Sequence, residues 1–394
     1  MKRLLCSLAL LLGSFSAAIA AWTDNSISFG GQTRLYRTYL PAGYDASRPA
    51  SLIVVLHGLG GSMNDADNVG ITQIADTANI ILLSPQALDF NSPLGLVSAA
   101  WNSGIVVNVP VIGPVAVNGA VDDVGFIKAM MDAARQQYAV NPVRVYVCGA
   151  SLGGFMTQRL ACEAPGYFAA AASVMGTYAL ALPPCSPGKM VPVVHFHGTK
   201  DEVVSWNGDL LFNGSAFPVG LSVDDLIARW VSLDGCNPAP LHEVWPDSNS
   251  DSLYAEHYSY SDASGNSRVE LFKVNNGTHA WYSGASTNGD IDYAGEIWKF
   301  FNKQYRTGAT GVKEPGGQSL AVTLYPNPAI QLIRIRSAVW LDKVQICDLY
   351  GRVVATCALS GNQEVDIRNL NPGLYGMQLY TAEGDRGFAK FVKQ

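Results

Sequence analysis

Ser151, Asp201 and His279 are the residues whose types, neighbours and order along the chain fit a single chemistry. A serine hydroxyl is a poor nucleophile until a base takes its proton and an acid orients that base. Ser151 lies in Gly149-Ala150-Ser151-Leu152-Gly153, after the β-branched run 143–147 and before the amphipathic stretch 152–164. That context predicts a strand, a strained turn presenting the hydroxyl, and a helix. Glycine two places before and two after the serine lets the neighbouring backbones approach. A G-x-S-x-G alone is a weak signal in a chain with 39 glycines, so the other two members carry the argument.

Asp201 follows the apolar run 191–196 and a His-Gly-Thr turn, which places it at the C-terminal end of a predicted buried strand. Sites of open α/β sheets lie at that edge. His279 follows the predicted strand 269–274 and precedes the last helical segment, 293–301. His242 and His257 also follow the acid, but in a polar stretch that reads as irregular, so His279 is the expected base. A fourth element is Leu56-His57-Gly58-Leu59-Gly60-Gly61, directly after the predicted strand 51–55. Such a glycine-rich turn can aim a backbone N–H at an oxyanion, and the Leu59 and Leu152 N–H groups are the expected pair. His57 reads as a structural brace of that turn.

These segments resemble a family. From residue 33 to about 305 the chain is similar to the secreted α/β-hydrolase esterases that include polyhydroxybutyrate depolymerases, feruloyl esterases and family-one carbohydrate esterases. The matching stretches are LIVVLHGLGGS, AWNSG, VDDVGFIKAMMD, YVCGASLGGFMTQRLACEAP, PVVHFHGTKDEVV, DGCNPAP and GTHAWYSG. The resemblance implies Ser151 as nucleophile, Asp201 as acid and His279 as base, and leaves the acyl group open. Trp101, Trp206 and Trp281, each beside one of these motifs, are candidates to contact substrate.

The elements that must position these residues alternate in type. A hairpin is expected over 26–40 around Gly30-Gly31, then strands at 51–55 and 80–84 and a helix at 124–138 capped by Asp122 or Asp123. The nucleophile strand and its helix follow, and a capping-box-like Ser222 starts another helix over 222–233. Such alternation predicts a mostly parallel sheet with helices on both faces, an α/β-hydrolase fold.

The chain has 394 residues, of which 48% are hydrophobic, enough for a full core and more than one unit. Residues 1–20 read as a signal peptide: Lys2 and Arg3, an apolar run 4–12, then Ala18-Ile19-Ala20. That apolar run is too short to span a bilayer, and no later one is long enough. Loss of Lys2 and Arg3 takes the formal charge from −6 to −8, which disfavours nucleic acid as a partner. Of seven cysteines, six follow the leader. Cys148 and Cys162 read as small buried core residues. Cys185 and Cys236, in polar loops flanking the acid strand and the next helix, are expected to form a disulfide. Cys347 and Cys357 are left unassigned. No C-x-x-C or H-E-x-x-H spacing is present, so neither metal nor cofactor is expected.

Residues 306–319, rich in glycine, proline and charge, read as a linker, which leaves 21–305 as the esterase domain. Beyond it short alternating runs at 320–325, 333–337, 344–349, 352–357, 375–380 and 387–392 predict a small β-sandwich over 320–394. This tail resembles the C-terminal sorting domain of the type IX secretion system, through LYPNPA, VQICDLYGRVV and LNPGLYGMQLYTAEGDRGFAKFVK. The resemblance implies a secreted or cell-surface protein that meets the type IX machinery. A polymer-binding module is the alternative, but the tail has one tryptophan, Trp340, where a stacking platform presents several aromatics.

Two segments depart from the family pattern: the apolar 105–117 and the aromatic- and glycine-rich 206–221. Each is either core or substrate-facing. The expected function is hydrolysis of feruloyl or acetyl esters on a plant polysaccharide through an acyl-enzyme, with polyester depolymerisation as the alternative. A peptidase of similar fold would need a propeller ahead of residue 51, for which there is no room. A non-catalytic polymer-binding protein would not need serine, acid and histidine together.

Overall fold

Four strands are buried at every residue: Ala50–Leu56, Ile80–Pro85, Ala170–Val174 and Val193–Gly198. Burial on both faces is the signature of a parallel sheet covered by helices. In the computed structural model these strands join Val140–Ala150 and Ser267–Asn275 as the parallel centre of a ten-stranded sheet. The described residues are 20–93, 95, 97–185, 191–248, 250–283, 290–306, 322–337, 340–347, 353–359, 363–381 and 386–394. They fall in two compact units, 1–307 and 308–394. The expected signal peptide, apart from Ala20, and the linker beyond Arg306 lie outside the described residues.

Across the central sheet the parallel strands run in the order Ile80–Pro85, Ala50–Leu56, Val140–Ala150, Ala170–Val174, Val193–Gly198, Ser267–Asn275. Helices α1 (Ile71–Ala78), α2 (Asp123–Gln137), α3 (Leu152–Glu163), α4 (Val223–Leu233) and α5 (Tyr293–Lys303) cover it. Strand residues alternate between two core layers. Leu52, Val54 and Leu56 pack with Phe126, Met130, Leu160 and Trp230 of α2, α3 and α4. Ile53 and Val55 pack with Ile71, Ala75, Ile297 and Phe301 of α1 and α5. Helix starts obey local chemistry: Asp122 accepts the Gly125 N–H, and Ser222 accepts the Asp225 N–H.

Antiparallel strands extend both edges. Ala21–Phe29 and Gln32–Leu40 form the expected hairpin, with Gly30 and Gly31 at φ 59° and 76° in its two-residue turn. At the far edge Tyr254–Ser261 and Leu241–Trp245 pair beyond Ser267–Asn275, where the sequence reads as irregular. Leu241–Trp245 is almost wholly exposed and Tyr254–Ser261 only half-buried, so polar residues replace the apolar run that would announce a strand.

The expected Cys185–Cys236 disulfide is not formed. Cys185 bonds to Cys162 across a Cα–Cα distance of 5.2 Å, and Cys236 is free. Cys162 lies in the last turn of α3, partly buried rather than in the core, where the Tyr178 hydroxyl contacts both Cys162 and Cys185. Cys148 is free and buried, and burial pushes its thiol up to about 12.

The second unit contains two antiparallel sheets. Val322–Tyr325, Leu332–Ser337 and Glu364–Asp366 form one; Val353–Ala358, Lys343–Cys347, Gly373–Tyr380 and Arg386–Lys393 form the other. Ile333, Ile335 and Val365 from the first share one core with Val344, Ile346, Met377, Leu379 and Phe391 from the second. Two sheets on a common core make the expected sandwich.

Candidate active site

Because the central strands are parallel, the turns at their C-terminal ends converge on one edge. Ser151 follows Val140–Ala150, Asp201 follows Val193–Gly198 and His279 follows Ser267–Asn275. The turn 57–61 follows Ala50–Leu56, which is hydrogen-bonded directly beside Val140–Ala150, the strand that leads to Ser151.

Ser151 has φ 55° and ψ −121°, a backbone conformation that non-glycine residues avoid. Its N–H donates to Val174 O at 2.8 Å, and its carbonyl accepts the Phe155 N–H, so the turn is pinned on both sides. The glycines around it are steric requirements. A Cβ on Gly149 would strike the Gly153 backbone, and one on Gly153 would strike the carbonyls of Leu56 and His57. Gly58 faces the serine, with space for a Cβ only 3.5 Å from Ser151 Cβ.

Asp201 is set by its own turn. Asp201 is buried, and its Oδ1 accepts the Val203 and Val204 N–H groups at 2.9 and 2.8 Å. Its Oδ2 lies 2.8 Å from His279 Nδ1. Backbone lacing brings the two loops together: Lys200 N–H donates to Gly277 O, Thr199 N–H to Val274 O, and Asn276 N–H to the Thr199 hydroxyl. A Cβ on Gly198 would overlap the Gly277 carbonyl, so glycine is what permits this approach. The carboxylate holds the proton-bearing Nδ1 and leaves Nε2 as the basic nitrogen. No hydrogen bond joins His279 to the Ser151 hydroxyl among the described residues, and such bonds often tighten only with substrate in place. His242 and His257 lie elsewhere, against Glu256 and Glu270 at 3.0 Å.

A histidine pair behind Asp201 escaped the sequence reading. His197 Nε2 donates to the Val204 carbonyl at 2.9 Å and lies 3.6 Å from Asp201 Oδ2, while its Nδ1 is 3.2 Å from His195 Nε2. Burial pushes both imidazoles below their usual range and keeps them neutral. Their signal was His-x-His in a strand, which puts both rings on one face of the sheet.

His57 braces the glycine turn. Its Nε2 accepts the Ala87 N–H at 3.1 Å, which assigns the ring proton to Nδ1, 2.7 Å from the Gly58 carbonyl. Burial lowers its pKa and keeps the ring neutral. Gly60 and Gly61 give their N–H groups to Ala99 O and Gly58 O, whereas Leu59 is 61% exposed at the tip of the turn. Leu152 opens α3, where the first N–H groups have no intrahelical acceptor.

The three tryptophans have different roles. Trp101 is fully buried and cannot touch substrate; its Nε1 donates to the His57 carbonyl at 2.8 Å, behind the glycine turn. Asn102, next to it, gives its N–H to Asp123 Oδ2 at 2.7 Å, and Asp123 pairs with buried Arg34 at 2.6 Å. The AWNSG and VDDVGF stretches are therefore one polar network under the turn. Trp206 is half-buried, edge-on to His197 and bonded to Asp224. Trp281 packs edge-on against Tyr293 of α5, with its Nε1 buried and unpaired.

Both unusual segments are hairpins. Val106–Val109 pairs with Gly113–Ala116, and Asp209–Phe212 with Ser215–Pro218. Val107 and Phe217 pack on the core, while the tips carry exposed Val111, Ile112 and Phe212. The strands Val106–Val109 and Ser215–Pro218 lie against each other.

Comparison with known proteins agrees with this architecture. Residues 323–394 match the secretion system C-terminal sorting domain, and residues 119–183, which include Ser151, match the prolyl oligopeptidase family. Feruloyl esterase B of Piromyces equi is 26% identical over 61% of this chain and 41% of its own length. A putative esterase, NocK, of Nocardia uniformis is 27% identical over 68% of this chain and 76% of its own. Poly(3-hydroxyalkanoate) depolymerase C of Paucimonas lemoignei is 29% identical over 44% of this chain and 39% of its own. The chain thus spans about two fifths of the length of the first and third of these relatives. It is similar in sequence to proteins named feruloyl esterase and poly(3-hydroxyalkanoate) depolymerase, and its residues 323–394 match a C-terminal sorting domain.

Proposed function

We propose that this protein is a serine esterase that hydrolyses feruloyl or acetyl esters of a plant polysaccharide. The observation that carries the reading is the buried Asp201 carboxylate 2.8 Å from His279 Nδ1, at the same sheet edge as the strained Ser151 turn. His279 Nε2 takes the Ser151 proton as Oγ attacks the ester carbonyl. The Leu59 and Leu152 N–H groups receive the negative charge that develops on its oxygen. His279 then protonates the leaving alcohol, and the acyl group remains on Ser151. Water, deprotonated by the same histidine, attacks the acyl-enzyme, and as the intermediate collapses His279 returns that proton to Ser151 Oγ, freeing the carboxylic acid.

The named relatives support feruloyl esters as the first substrate class to test. Polyester hydrolysis is the second reading, favoured by the exposed apolar tips of the two hairpins and by the depolymerase relative. One experiment tests the mechanism and separates the two. Wild type and Ser151→Ala are assayed in parallel on methyl ferulate, acetylated xylan, a polyhydroxybutyrate film and short p-nitrophenyl esters. The variant should stay folded and lose nearly all turnover; unchanged turnover overturns the reading. The C-terminal unit delivers the enzyme through the type IX machinery. Truncation near residue 307 should therefore abolish export and leave hydrolysis of soluble esters intact.

A further inference from the structure

Three carboxylates away from the ester-hydrolysing site converge on one point. Asp247 and Asp251 lie on the loop between Leu241–Trp245 and Tyr254–Ser261, and Asp290 lies just ahead of α5. One oxygen from each lies within 4.8 Å of the other two. Asp290 is 8% exposed. Its Oδ1 accepts the Ser248 N–H at 3.0 Å and the Ser248 hydroxyl, whereas its Oδ2 is shielded from solvent and accepts no hydrogen bond. A buried carboxylate oxygen without a donor is costly, and two nearby carboxylates raise the cost.

We propose that Asp247, Asp251 and Asp290 bind one calcium ion. An all-oxygen, anionic donor set selects a hard cation over zinc or copper. Calcium holds oxygen at 2.3–2.6 Å, so ligands on opposite sides of one ion are up to about 5 Å apart, and the three oxygens lie within that reach of one another. Magnesium, at 2.0–2.1 Å, demands near-octahedral order and keeps several of its waters, which suits three carboxylates from two loops less well. The cation offsets the charge that Asp290 buries and ties the 247–251 loop to the start of α5. Tyr293, the first residue of α5, donates its N–H to Tyr282 O and packs on Trp281 and Tyr282. The ion therefore sits next to the start of α5, whose Tyr293 contacts Trp281 and Tyr282 beyond His279. Cysteine and histidine spacings do not reveal such a site, because its ligands come from two loops distant in sequence.

The test uses the full-length protein, stripped with a chelator and titrated with calcium chloride by isothermal calorimetry and by thermal melting. Wild type should bind one calcium and melt at a higher temperature with it; magnesium should act only at much higher concentration. Asp290→Asn should lose the heat of binding and the thermal shift. In chelator it should melt no lower than wild type, since it removes a buried repulsion. Asp251→Asn, at an exposed position, should fold normally and bind calcium at least 10-fold more weakly. Wild type without heat or thermal shift at millimolar calcium overturns the proposal. So does calcium binding of undiminished affinity in both variants.

Discussion

His57 Nδ1 lies 2.7 Å from the carbonyl oxygen of Gly58, and this contact sets the direction of the next N–H. The Gly58–Leu59 peptide is planar and trans, so its carbonyl and its N–H point in opposite directions. Holding the carbonyl toward the buried imidazole turns the Leu59 N–H away from that ring. Trp101, donating to the His57 carbonyl, holds the preceding peptide in the same way.

On the proposed mechanism His57 acts through that peptide without touching substrate. His57→Phe keeps a ring in the cavity and removes both hydrogen bonds. It should lower kcat on the order of 10- to 100-fold with KM nearly unchanged, less than outright loss of an oxyanion donor. His57→Gln, whose amide can again donate to Gly58 O, should recover part of the loss. Steady-state kinetics with a soluble ester decides it. A folded His57→Phe variant with wild-type kcat would separate the turn from catalysis.

The parts of this molecule that sequence revealed are those where one physical demand dominates. Strands buried on both faces, such as Ala50–Leu56 and Ile80–Pro85, must be apolar throughout and can be read directly. Gly149 and Gly153 are legible because no other residue fits where they sit. Ala170–Val174, wholly buried beside the nucleophile strand, was not legible, because alanine favours helix and carries no β-branch. Trp101 looked like a substrate contact because an aromatic beside a motif is chemically ambiguous; only its burial shows that it supports the turn from behind. The Cys162 pairing could not be read, because a helix position near the nucleophile suggests core and the side chain's direction depends on tertiary packing. The Asp247–Asp251–Asp290 cluster depends on two loops meeting, which no local pattern encodes.

Disulfide mapping follows from the bridge position. Peptides prepared without reduction should link Cys162 to Cys185 and show alkylated Cys236. The bridge spans 23 residues of sequence, for which loop closure predicts about 3 kcal/mol of stabilisation. Cys185→Ser should therefore lower the unfolding free energy by roughly 2–4 kcal/mol in denaturant titration, while Cys236→Ser should change it by less than about 1. Equal losses in the two variants would contradict the observed pairing.

Asp234 gives a pH prediction with a definite sign. Its carboxylate is buried, neither oxygen accepts a hydrogen bond, and burial raises its pKa to about 7 despite Arg268 nearby. A raised acid pKa means the folded state holds its proton where the unfolded chain has released it. This group therefore stabilises the fold less as pH rises from 3.8 through about 7. Asp234→Asn, permanently neutral, should be more stable than wild type at pH 8, on the order of 2–4 kcal/mol. The advantage should shrink toward zero near pH 4. Chemical denaturation of both proteins at pH 4, 6 and 8 checks this, and a pH-independent difference would show that the carboxylate titrates normally.

Val111 has φ 70° at the tip of the first hairpin, a conformation that a β-branched residue adopts only at a cost of about 1–3 kcal/mol. Its side chain is fully exposed, so packing within the fold does not compensate, whereas Val107 on the same hairpin packs against the core. The two valines should respond differently to substitution. Val107→Ser should destabilise by about 1–3 kcal/mol and affect all substrates alike. Val111→Gly should raise stability by about 1 kcal/mol, because glycine takes positive φ without strain. If the exposed tips bind an apolar acyl group or polymer face, Val111→Gly combined with Phe212→Ser should raise KM for large feruloyl or polyester substrates and leave acetyl esters unchanged. Melting temperature measured beside KM for a small and a large acyl ester distinguishes these outcomes. Higher stability with no change in either KM would mean that the strained valine has no part in substrate binding, and polyester hydrolysis would lose its structural support.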